Sequence, residues 1–275
     1  MDNIKITEVT VSRSGTLPTG YFQNVKPSFS MTAEVRPGES PEYITETCNN
    51  YLCHLFEMED KKAKAELLQK RYKNFRWYHK NGKKYVSVTT VLGWGDRYNK
   101  FKKFTDDELA QYASQGNIIE ALMTEYLKTG KWIDPNNTSK LQDDVAMLNL
   151  GGMGFNWDKC THKTFIEKFG KKIGVIENYQ GTVYNDDYEY AGTYDILGEF
   201  DGKRSIIDIK RNYFNMQQLA AYAMCLKDVE QLVIFKVGPT ENKCGYYKPI
   251  TTTDIQKEFD GFLAAREQFR QKFGI

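Results

Sequence analysis

The sequence has 275 residues, of which 40% are hydrophobic and 27% are charged, and its mean hydropathy is −0.61. This balance is typical of a folded globular protein and excludes a disordered chain, which lacks the apolar residues that form a core. The longest uninterrupted apolar run covers residues 219–226, far short of the roughly 20 residues that a membrane-spanning helix needs. The N-terminus carries no apolar signal-peptide stretch. We therefore expect a cytoplasmic protein that does not enter a membrane.

The cysteines give no sign of a metal or cluster site. They are Cys48, Cys53, Cys160, Cys225 and Cys244. No two of them form a Cys-x-x-Cys pair, which is the usual spacing in zinc clips and iron–sulfur clusters. We therefore expect free thiols in a reducing compartment and no iron–sulfur cluster.

The charge is unevenly distributed, although the net charge is only +2. Residues 61–84 contain ten lysines and arginines and a single acid, so the rest of the chain is net acidic. A basic block with interleaved aromatic residues can bind phosphates and stack on exposed bases. The candidate nucleic-acid-binding residues in this block are Lys70, Arg71, Lys73, Arg76 and Trp77. A solvated basic helix without a partner is the alternative.

Two strands and a helix are predicted ahead of the basic block. Residues 4–11 and 29–35 have the composition and alternation of strands. A helix is predicted to begin near Ser40-Pro41, because apolar residues then recur at helical spacing. This predicted inward stripe consists of Ile44, Cys48, Leu52 and Leu55. Inside the basic block, Asn81-Gly82 predicts a hairpin turn.

A long helix is predicted after the basic block. Residues 105–108 form a Thr-Asp-Asp-Glu capping box, in which the first and last residues each satisfy a backbone amide of the other. The helix is expected over residues 106–128, with Gly116 as a candidate break, and is expected to end near Gly130. A second helical region is expected over residues 139–170, with a glycine interruption at 151–154.

The spacing of the apolar residues then changes to that of strands. The elements predicted after residue 170 are strands over 173–184, 189–200 and 203–210, a helix over 215–226, strands over 230–236 and 244–249, and a C-terminal helix. Asp201-Gly202 is a strong signal for a two-residue hairpin turn between the second and third of these strands. The order of elements predicts an α/β (α+β) fold with helices around a sheet.

Two neighbouring strands of this region carry charged residues in apolar surroundings. Side chains alternate between the two faces of a strand, so Asp208 and Lys210 point the same way. Charges inside an apolar, β-branched strand are costly to bury without a functional reason. If Asp201-Gly202 closes a regular hairpin, Asp195 lies directly opposite Asp208.

Two carboxylates that face each other on neighbouring strands repel each other unless a cation lies between them. Hard oxygen ligands of this kind suit Mg²⁺ or Mn²⁺. We therefore predict a Mg²⁺ or Mn²⁺ site at Asp195 and Asp208. Ordinary ion pairs at a strand end are the alternative.

Three further polar residues are candidates for the same site. Glu120 shares an inward helical stripe with Leu109, Tyr112, Gly116, Met123 and Leu127. Gln218 and Tyr222 stand four residues apart, on one face of the helix that follows the Asp208–Lys210 strand. A position at the margin of the stripe is the alternative for Glu120, and core packing is the alternative for Tyr222.

Three short segments follow one another in the second half of the chain. They are Gly192-Thr193-Tyr194-Asp195, Asp208-Ile209-Lys210 and Gln218-Leu219-Ala220-Ala221-Tyr222. Their order and spacing resemble the PD-(D/E)XK nuclease superfamily, and within it the RecB-type branch, which includes phage exonucleases and the mitochondrial genome maintenance exonuclease. Residues 85–92 and 116–127 are similar to segments ahead of that family's core, and Glu177 stands where many members have an acid. The resemblance covers roughly residues 76–250.

The resemblance implies a restriction-endonuclease-like core, with a central mixed sheet flanked by helices. We assign this nuclease domain to residues 76–275. Residues 1–75 then form an N-terminal strand–strand–helix (β-β-α) extension of unknown role.

The resemblance also implies roles for individual residues. Asp195 and Asp208 would hold the metal together with the carbonyl group of Ile209. Lys210 would position or activate the attacking water.

Two further residues have roles that the resemblance implies, and two positions depart from the family pattern. Gln218 and Tyr222 would support the site or the nucleic acid. Tyr194 precedes the first aspartate where the family motif has proline. RecB-type members usually have a histidine where Glu120 stands, whereas other branches have a glutamate. Because an unpaired inward carboxylate is costly, Glu120 is expected within reach of the same cation, directly or through one water.

The expected function is metal-dependent hydrolysis of DNA phosphodiester bonds by a phage-type exonuclease of recombination, repair or replication, acting in the host cytoplasm if it is phage-encoded. One alternative is a nuclease-fold binding module, an inhibitor or scaffold, that does not cut. Another is a nuclease directed at RNA. The intact set of Asp195, Asp208 and Lys210 favours an enzyme. The sequence gives no prediction for polarity, strand preference or oligomeric state.

Overall fold

The computed structural model describes residues 6–20, 23–72, 75–97, 105–150, 156–211, 213–238 and 244–275. The strands in these ranges are β1 (Glu8–Ser14), β2 (Leu17–Gly20), β3 (Gln23–Val25), β4 (Ser28–Glu34), β5 (Trp77–Lys80), β6 (Lys83–Ser87), β7 (Ile173–Asn185), β8 (Tyr190–Phe200), β9 (Lys203–Lys210), β10 (Gln231–Lys236) and β11 (Ile250–Thr252). The α-helices are α1 (Pro41–Arg71), α2 (Val88–Arg97), α3 (Asp106–Thr129), α4 (Gln142–Leu150), α5 (His162–Phe169), α6 (Met216–Ala223) and α7 (Ile255–Phe273).

The chain divides into two compact units. Unit 1 consists of Met1–Tyr85 and Glu267–Ile275, and unit 2 consists of Val86–Arg266. Strand β6 and helix α7 each cross the boundary between them in the chain. The predicted division of the chain after residue 75 into an extension and a nuclease domain stays a prediction.

In unit 1, β1 and β4 pair as antiparallel strands, and α1 packs against β1, β2 and β4. Half-buried and exposed residues alternate along both β1 and β4, as expected for strands with one covered face. The two predicted N-terminal strands are thus confirmed, although the first is displaced towards the C-terminus. Residues 1–5, which include the predicted start of that strand, lie outside the described residues.

Helix α1 begins where the sequence predicts. The Ser40 hydroxyl caps it by accepting a hydrogen bond from the Tyr43 amide, and Pro41 occupies the first helical position, where no amide donor is needed. Cys48 and Leu52 of the predicted stripe are buried. The helix continues to Arg71, so the first half of the basic block is helical.

The second half of the basic block forms the β5–β6 hairpin. Asn81 and Gly82 have φ values of 50° and 75°, the left-handed conformations that a type I′ hairpin turn requires. Ahead of the hairpin, the Phe75 ring lies 5.7 Å from the Phe269 ring and 5.5 Å from the Phe273 ring. These ring contacts explain why the end of α7 belongs to unit 1.

The sheet of unit 2 is mixed. β8 pairs antiparallel with β7 and β9, β9 pairs parallel with β10, and β10 pairs antiparallel with β11. Val86 and Ser87, at the end of β6, pair parallel with Tyr190 and Ala191 at the start of β8. Helix α6 packs on β8, β9 and β10. The predicted α+β class, with a mixed sheet and flanking helices, is therefore confirmed.

One predicted strand is wrong. Residues 244–249 form turns and irregular backbone, and the strand that pairs with β10 begins only at Ile250. Gly245 has a φ of 79°, which turns the chain, and Pro249 has no amide to donate to a neighbouring strand.

Helix α3 supports one face of this sheet. The reciprocal Thr105–Glu108 capping box starts it, and Gly130, with a φ of 71°, ends it. The helix runs through Gly116 without a break. Its residues Ile119 and Met123 share a core cluster with residues from the sheet and from α5; the buried members of the cluster are Ile119, Met123, Phe165, Ile196, Phe200, Ile207, Ile209, Val233, Phe235 and Val237.

Between α3 and the sheet, the predicted helical region consists of α4 and α5 with short 3-10 turns. The predicted glycine interruption at 151–154 lies outside the described residues. Over the described parts of the chain, no helix is long and apolar enough to cross a membrane.

Candidate active site

The β8–β9 hairpin brings the two predicted aspartates together. Asp201 and Gly202 form its turn with φ values of 56° and 76°. The ladder pairs Phe200 with Lys203 and continues in regular register as far as Ile196 with Ile207. Asp195 and Asp208 are therefore the next facing residues, as the sequence predicts.

The backbone of β9 holds the first aspartate. The Ile209 amide donates a hydrogen bond of 2.8 Å to Asp195 Oδ2. Lys210 Nζ lies 2.6 Å from Asp208 Oδ2 and 4.0 Å from Asp195 Oδ2, and it donates a bond of 3.5 Å to the Ile209 carbonyl. One ammonium group thus interacts with both carboxylates at the C-terminal end of β9.

Burial and charge together shift the pKa values of Asp195 and Lys210. Asp208 is only 2% exposed. Burial raises the pKa of Asp195 well above its usual range, and the charge of Asp208 raises it further, while Lys210 acts in the opposite direction. Burial lowers the pKa of Lys210, but the charges of Asp208 and Asp195 outweigh it, so the net shift is upward. If both carboxylates are ionised, one lysine leaves the group with one negative charge in excess, and this repulsion adds to the effect of burial on the pKa of Asp195.

Glu120 adds to this negative charge. It is half-buried on α3, and its Oε1 accepts a hydrogen bond of 3.1 Å from Gln180 Nε2. Its charge raises the pKa values of both Asp195 and Lys210. Within the described ranges, no three His, Cys, Asp or Glu side chains are grouped so that they could hold a metal ion. Direct ligation by Glu120 therefore stays a prediction.

Gln180 was not predicted as a site residue. Tyr179 faces Ile196 and Gly181 faces Tyr194 in the β7–β8 ladder, so Gln180 lies opposite Asp195. Its φ is 53°, a left-handed conformation that costs a non-glycine residue about 1 kcal/mol. No local sequence pattern requires this conformation at a glutamine, so only the structure reveals it.

Gln218 and Tyr222 contact each other on α6. Gln218 Nε2 donates a hydrogen bond of 3.1 Å to Tyr222 Oη. The Tyr222 ring is buried and lies so close to Gly192 that a Cβ at that position would collide with it. Gly192, three positions before Asp195, is thus required for the packing of the Tyr222 ring. The supporting role of Gln218 and Tyr222 stays a prediction.

Glu177 takes part in a surface ion pair. Its two carboxylate oxygens accept hydrogen bonds of 2.7 Å from Arg204 Nε and Nη2. Arg204 lies near the start of β9, at the other end of the strand from Lys210. The hydrogen bond from Arg204 lowers the pKa of Glu177.

The candidate nucleic-acid-binding residues of the basic block belong to unit 1, whereas the aspartates belong to unit 2. Lys70, Arg71 and Arg76 are exposed, Trp77 is half-buried in β5, and Lys73 lies outside the described residues. Part of the block's charge is neutralised by ion pairs, which are Lys62–Glu59, Lys64–Asp60 and Lys84–Glu66. Nucleic-acid binding by the block stays a prediction.

Arg211 and Gln115 are further residues that the sequence reasoning missed. Arg211 directly follows Lys210, and its Nη1 donates a hydrogen bond to Gln115 Oε1 on α3. In the sequence, the place of Arg211 directly after Lys210 is the signal that could have indicated it as a site residue. The contact with Gln115 joins segments far apart in the sequence, so no local pattern could show it.

Neither the protein-family models nor the curated proteins give a match to this sequence. The function must therefore be inferred from the residues and their geometry. That geometry offers two facing carboxylates, an ammonium group in contact with both, and a third carboxylate on the neighbouring helix.

Proposed function

We propose that the chain is a metal-dependent nuclease with a PD-(D/E)XK-type core, and that it hydrolyses DNA phosphodiester bonds as a phage-type exonuclease. The observation that carries this proposal is the position of Lys210 Nζ, 2.6 Å from Asp208 Oδ2 and 4.0 Å from Asp195 Oδ2. An acid pair can hold the divalent cation that assists phosphodiester hydrolysis, and an adjacent lysine can position the attacking water. The order of the three sequence segments supports the same proposal.

The donor set fits a small divalent cation. Asp208 Oδ2 is buried, and the group that contacts it among the described residues is the Lys210 ammonium, 2.6 Å away, so this oxygen already lies in a cationic position. Mutual repulsion with Asp208 also contributes to the raised pKa of Asp195. Asp195, Asp208 and the Ile209 carbonyl would hold Mg²⁺ or Mn²⁺, with Glu120 as a further ligand, directly or through one water. When bound, such a cation lowers the pKa of a coordinated water and stabilises negative charge on the phosphate.

The chain's own groups supply orientation. The Ile209 amide fixes one oxygen of Asp195, so the carboxylate is oriented before any ligand arrives. Lys210 carries three N–H donors and can hold the attacking water or a phosphate oxygen beside the two aspartates. The Gln218–Tyr222 hydrogen bond fixes the tyrosine ring against β8.

A digestion series tests the proposal. End-labelled single-stranded DNA, duplex DNA and RNA are incubated with the protein and Mg²⁺, with and without excess chelator. We expect DNA to be shortened from an end, and this activity to disappear with chelator and in Asp208→Asn. Asp201→Asn is the matched control, because Asp201 is an exposed acid in the turn of the same hairpin, paired with Lys172 at 2.7 Å.

The other outcomes contradict the proposal in different ways. DNA binding without cleavage in any metal would favour the nuclease-fold binding module. Cleavage restricted to RNA would identify an RNA-directed nuclease. Internal cuts without loss of end label would exclude an exonuclease but keep the metal site.

A further inference from the structure

A half-buried arginine follows the last residue of the candidate site in the chain and, among the described residues, has no acidic partner. Arg211 directly follows Lys210, and its partners are the Gln115 amide oxygen and the Tyr112 ring, whose centroid is 5.9 Å from the guanidinium carbon. Within the described residues no carboxylate pairs with it, and its Nε is buried without a hydrogen-bond partner. A charge withdrawn from water among neutral partners is unfavourable, and a bound anion would compensate for it.

The neighbouring residues hold this guanidinium group in place. Gln115 is only 6% exposed, so its amide oxygen is a fixed acceptor. Tyr112 adds a cation–π contact on the same helix. Gln115 accepts from one of the five N–H groups of Arg211, and over the described ranges the other donors of the guanidinium group are left for a ligand. A planar, fixed guanidinium group matches the oxygens of a phosphate better than a flexible ammonium group does.

Gly116 leaves space on the same helix face. Tyr112, Gly116 and Glu120 are spaced four residues apart and therefore form a row along α3. A Cβ at Gly116 would meet no atom of the described residues within 4 Å, and the φ of Gly116 is not in the left-handed region. Neither packing nor backbone conformation therefore requires glycine here, although glycine is unfavourable inside a helix. Open space between Arg211's partner Tyr112 and the acidic Glu120 allows a ligand backbone to approach closely.

We propose that Arg211 binds a backbone phosphate of the nucleic-acid strand, next to the phosphodiester held at Asp195 and Asp208, and that the strand passes over Gly116. The inference rests on the proposed nuclease function and adds a phosphate subsite to it. The subsite recognises the phosphodiester anion and does not read the base.

The test compares Arg211→Gln and Arg211→Lys with the unchanged protein. Affinity for a labelled single-stranded DNA oligonucleotide is measured by anisotropy in chelator over a series of salt concentrations, and kcat and KM are measured with Mg²⁺. Arg211→Gln is expected to weaken binding about tenfold or more and to reduce the salt slope by about 0.7, the value for one lost phosphate contact on a single strand. In Arg211→Gln, KM is expected to rise with little change in kcat. Arg211→Lys is expected to restore part of the affinity. Arg204→Gln is the control, since Arg204 lies in β9, seven residues before Arg211, but is paired with Glu177.

Gly116→Ala provides a second, independent readout. Alanine favours the helix and has room at this position, so Tm is expected to rise while affinity for the oligonucleotide falls. A misfolded variant would instead lose both.

Two results would overturn the inference while leaving the nuclease proposal intact. In the first, the wild-type protein cleaves DNA, and Arg211→Gln has the same affinity, KM and salt slope as the wild type. The other is an equal loss of affinity in Arg204→Gln, which would indicate a general charge effect. Wild-type protein that neither binds nor cleaves DNA would contradict the nuclease proposal itself, and the inference with it.

Discussion

The backbone amide of Ile209 donates a 2.8 Å hydrogen bond to Asp195 Oδ2, so one strand holds a carboxylate of its neighbour. This bond lies just beyond the last regular ladder pair, Ile196 with Ile207. It orients Asp195 independently of the lysine side chain. Orientation fixed by the backbone is a form of preorganisation.

Lys210→Ala should therefore reduce turnover rather than affinity. The aspartates keep their positions because the Ile209 amide still holds Asp195, but the donor beside Asp208 is lost. We expect kcat to fall by about 10²-fold or more with little change in DNA affinity. Lys203→Ala, at the exposed start of the same strand, is the control and should be silent. Unchanged turnover at saturating DNA, with only affinity lost, would exclude a catalytic role for Lys210.

Glu120→Gln should weaken the binding of the metal while keeping the fold. The change removes a charge that acts on both Asp195 and Lys210 but preserves the shape of the side chain. Activity should then recover in part at high Mg²⁺ or Mn²⁺, which a metal titration of the cleavage rate measures. Glu125→Gln, on the same helix, is the matched control and should behave like wild type. If both variants show the same metal dependence as wild type, Glu120 has no part in the site.

Gln180→Gly should make the protein more stable and less active. Glycine adopts a φ of 53° without strain, so the free energy of unfolding should rise by about 1 kcal/mol in urea melts. The hydrogen bond to Glu120 is lost, and cleavage should fall about tenfold. Glu189 has the same φ in the turn before β8, so Glu189→Gly should gain stability without losing activity. A parallel loss of stability and activity in Gln180→Gly would show that Gln180 only supports the fold.

His162 should make stability depend on pH. Its ring is fully buried near Trp132 and Trp157, and both of its nitrogens lack hydrogen-bond partners in the described parts of the chain. Burial lowers its pKa from 6.5 to about 4, with a smaller contribution from Lys163. The unfolded chain thus binds more protons between these two pH values. The contribution of His162 to the free energy of unfolding is therefore fully present above pH 6.5. It is lost as the pH falls towards 4, and the total loss is about 3 kcal/mol.

Urea unfolding between pH 4 and pH 7 measures this dependence. His162→Phe keeps an aromatic ring but cannot titrate, so its stability should fall less with decreasing pH. His54→Gln, at an exposed position, should follow the wild-type curve. If the free energy of unfolding of the wild type and of His162→Phe changed equally with pH, His162 would not be the group responsible for the pH dependence.

The parts of the fold that could be predicted are those fixed by local chemistry. Asp201-Gly202 determines the register of the β8–β9 hairpin, and that register places Asp195 opposite Asp208. Ser40 and the Thr105 capping box fix the starts of α1 and α3 in the same way. The strand predicted over 244–249 does not form because Gly245 turns the chain and Pro249 has no amide to donate.

The features that could not be predicted depend on contacts between distant segments. Gln180 takes its left-handed conformation opposite Asp195 and contacts Glu120, which lies 60 residues earlier in the chain. Arg211 meets Gln115 across 96 residues. Neither contact leaves a periodic pattern in the sequence.

In the proposed mechanism, Asp195 and Asp208 together bind the divalent cation that cleavage requires. A Mn²⁺ titration followed by electron paramagnetic resonance, with cleavage of end-labelled DNA measured in the same samples, tests this mechanism. We expect the wild-type protein and Asp201→Asn to bind Mn²⁺ and cleave, whereas Asp208→Asn should bind Mn²⁺ about tenfold more weakly or worse and should not cleave. Equal Mn²⁺ affinity and equal cleavage in Asp208→Asn, or undiminished wild-type cleavage in excess chelator, would contradict it.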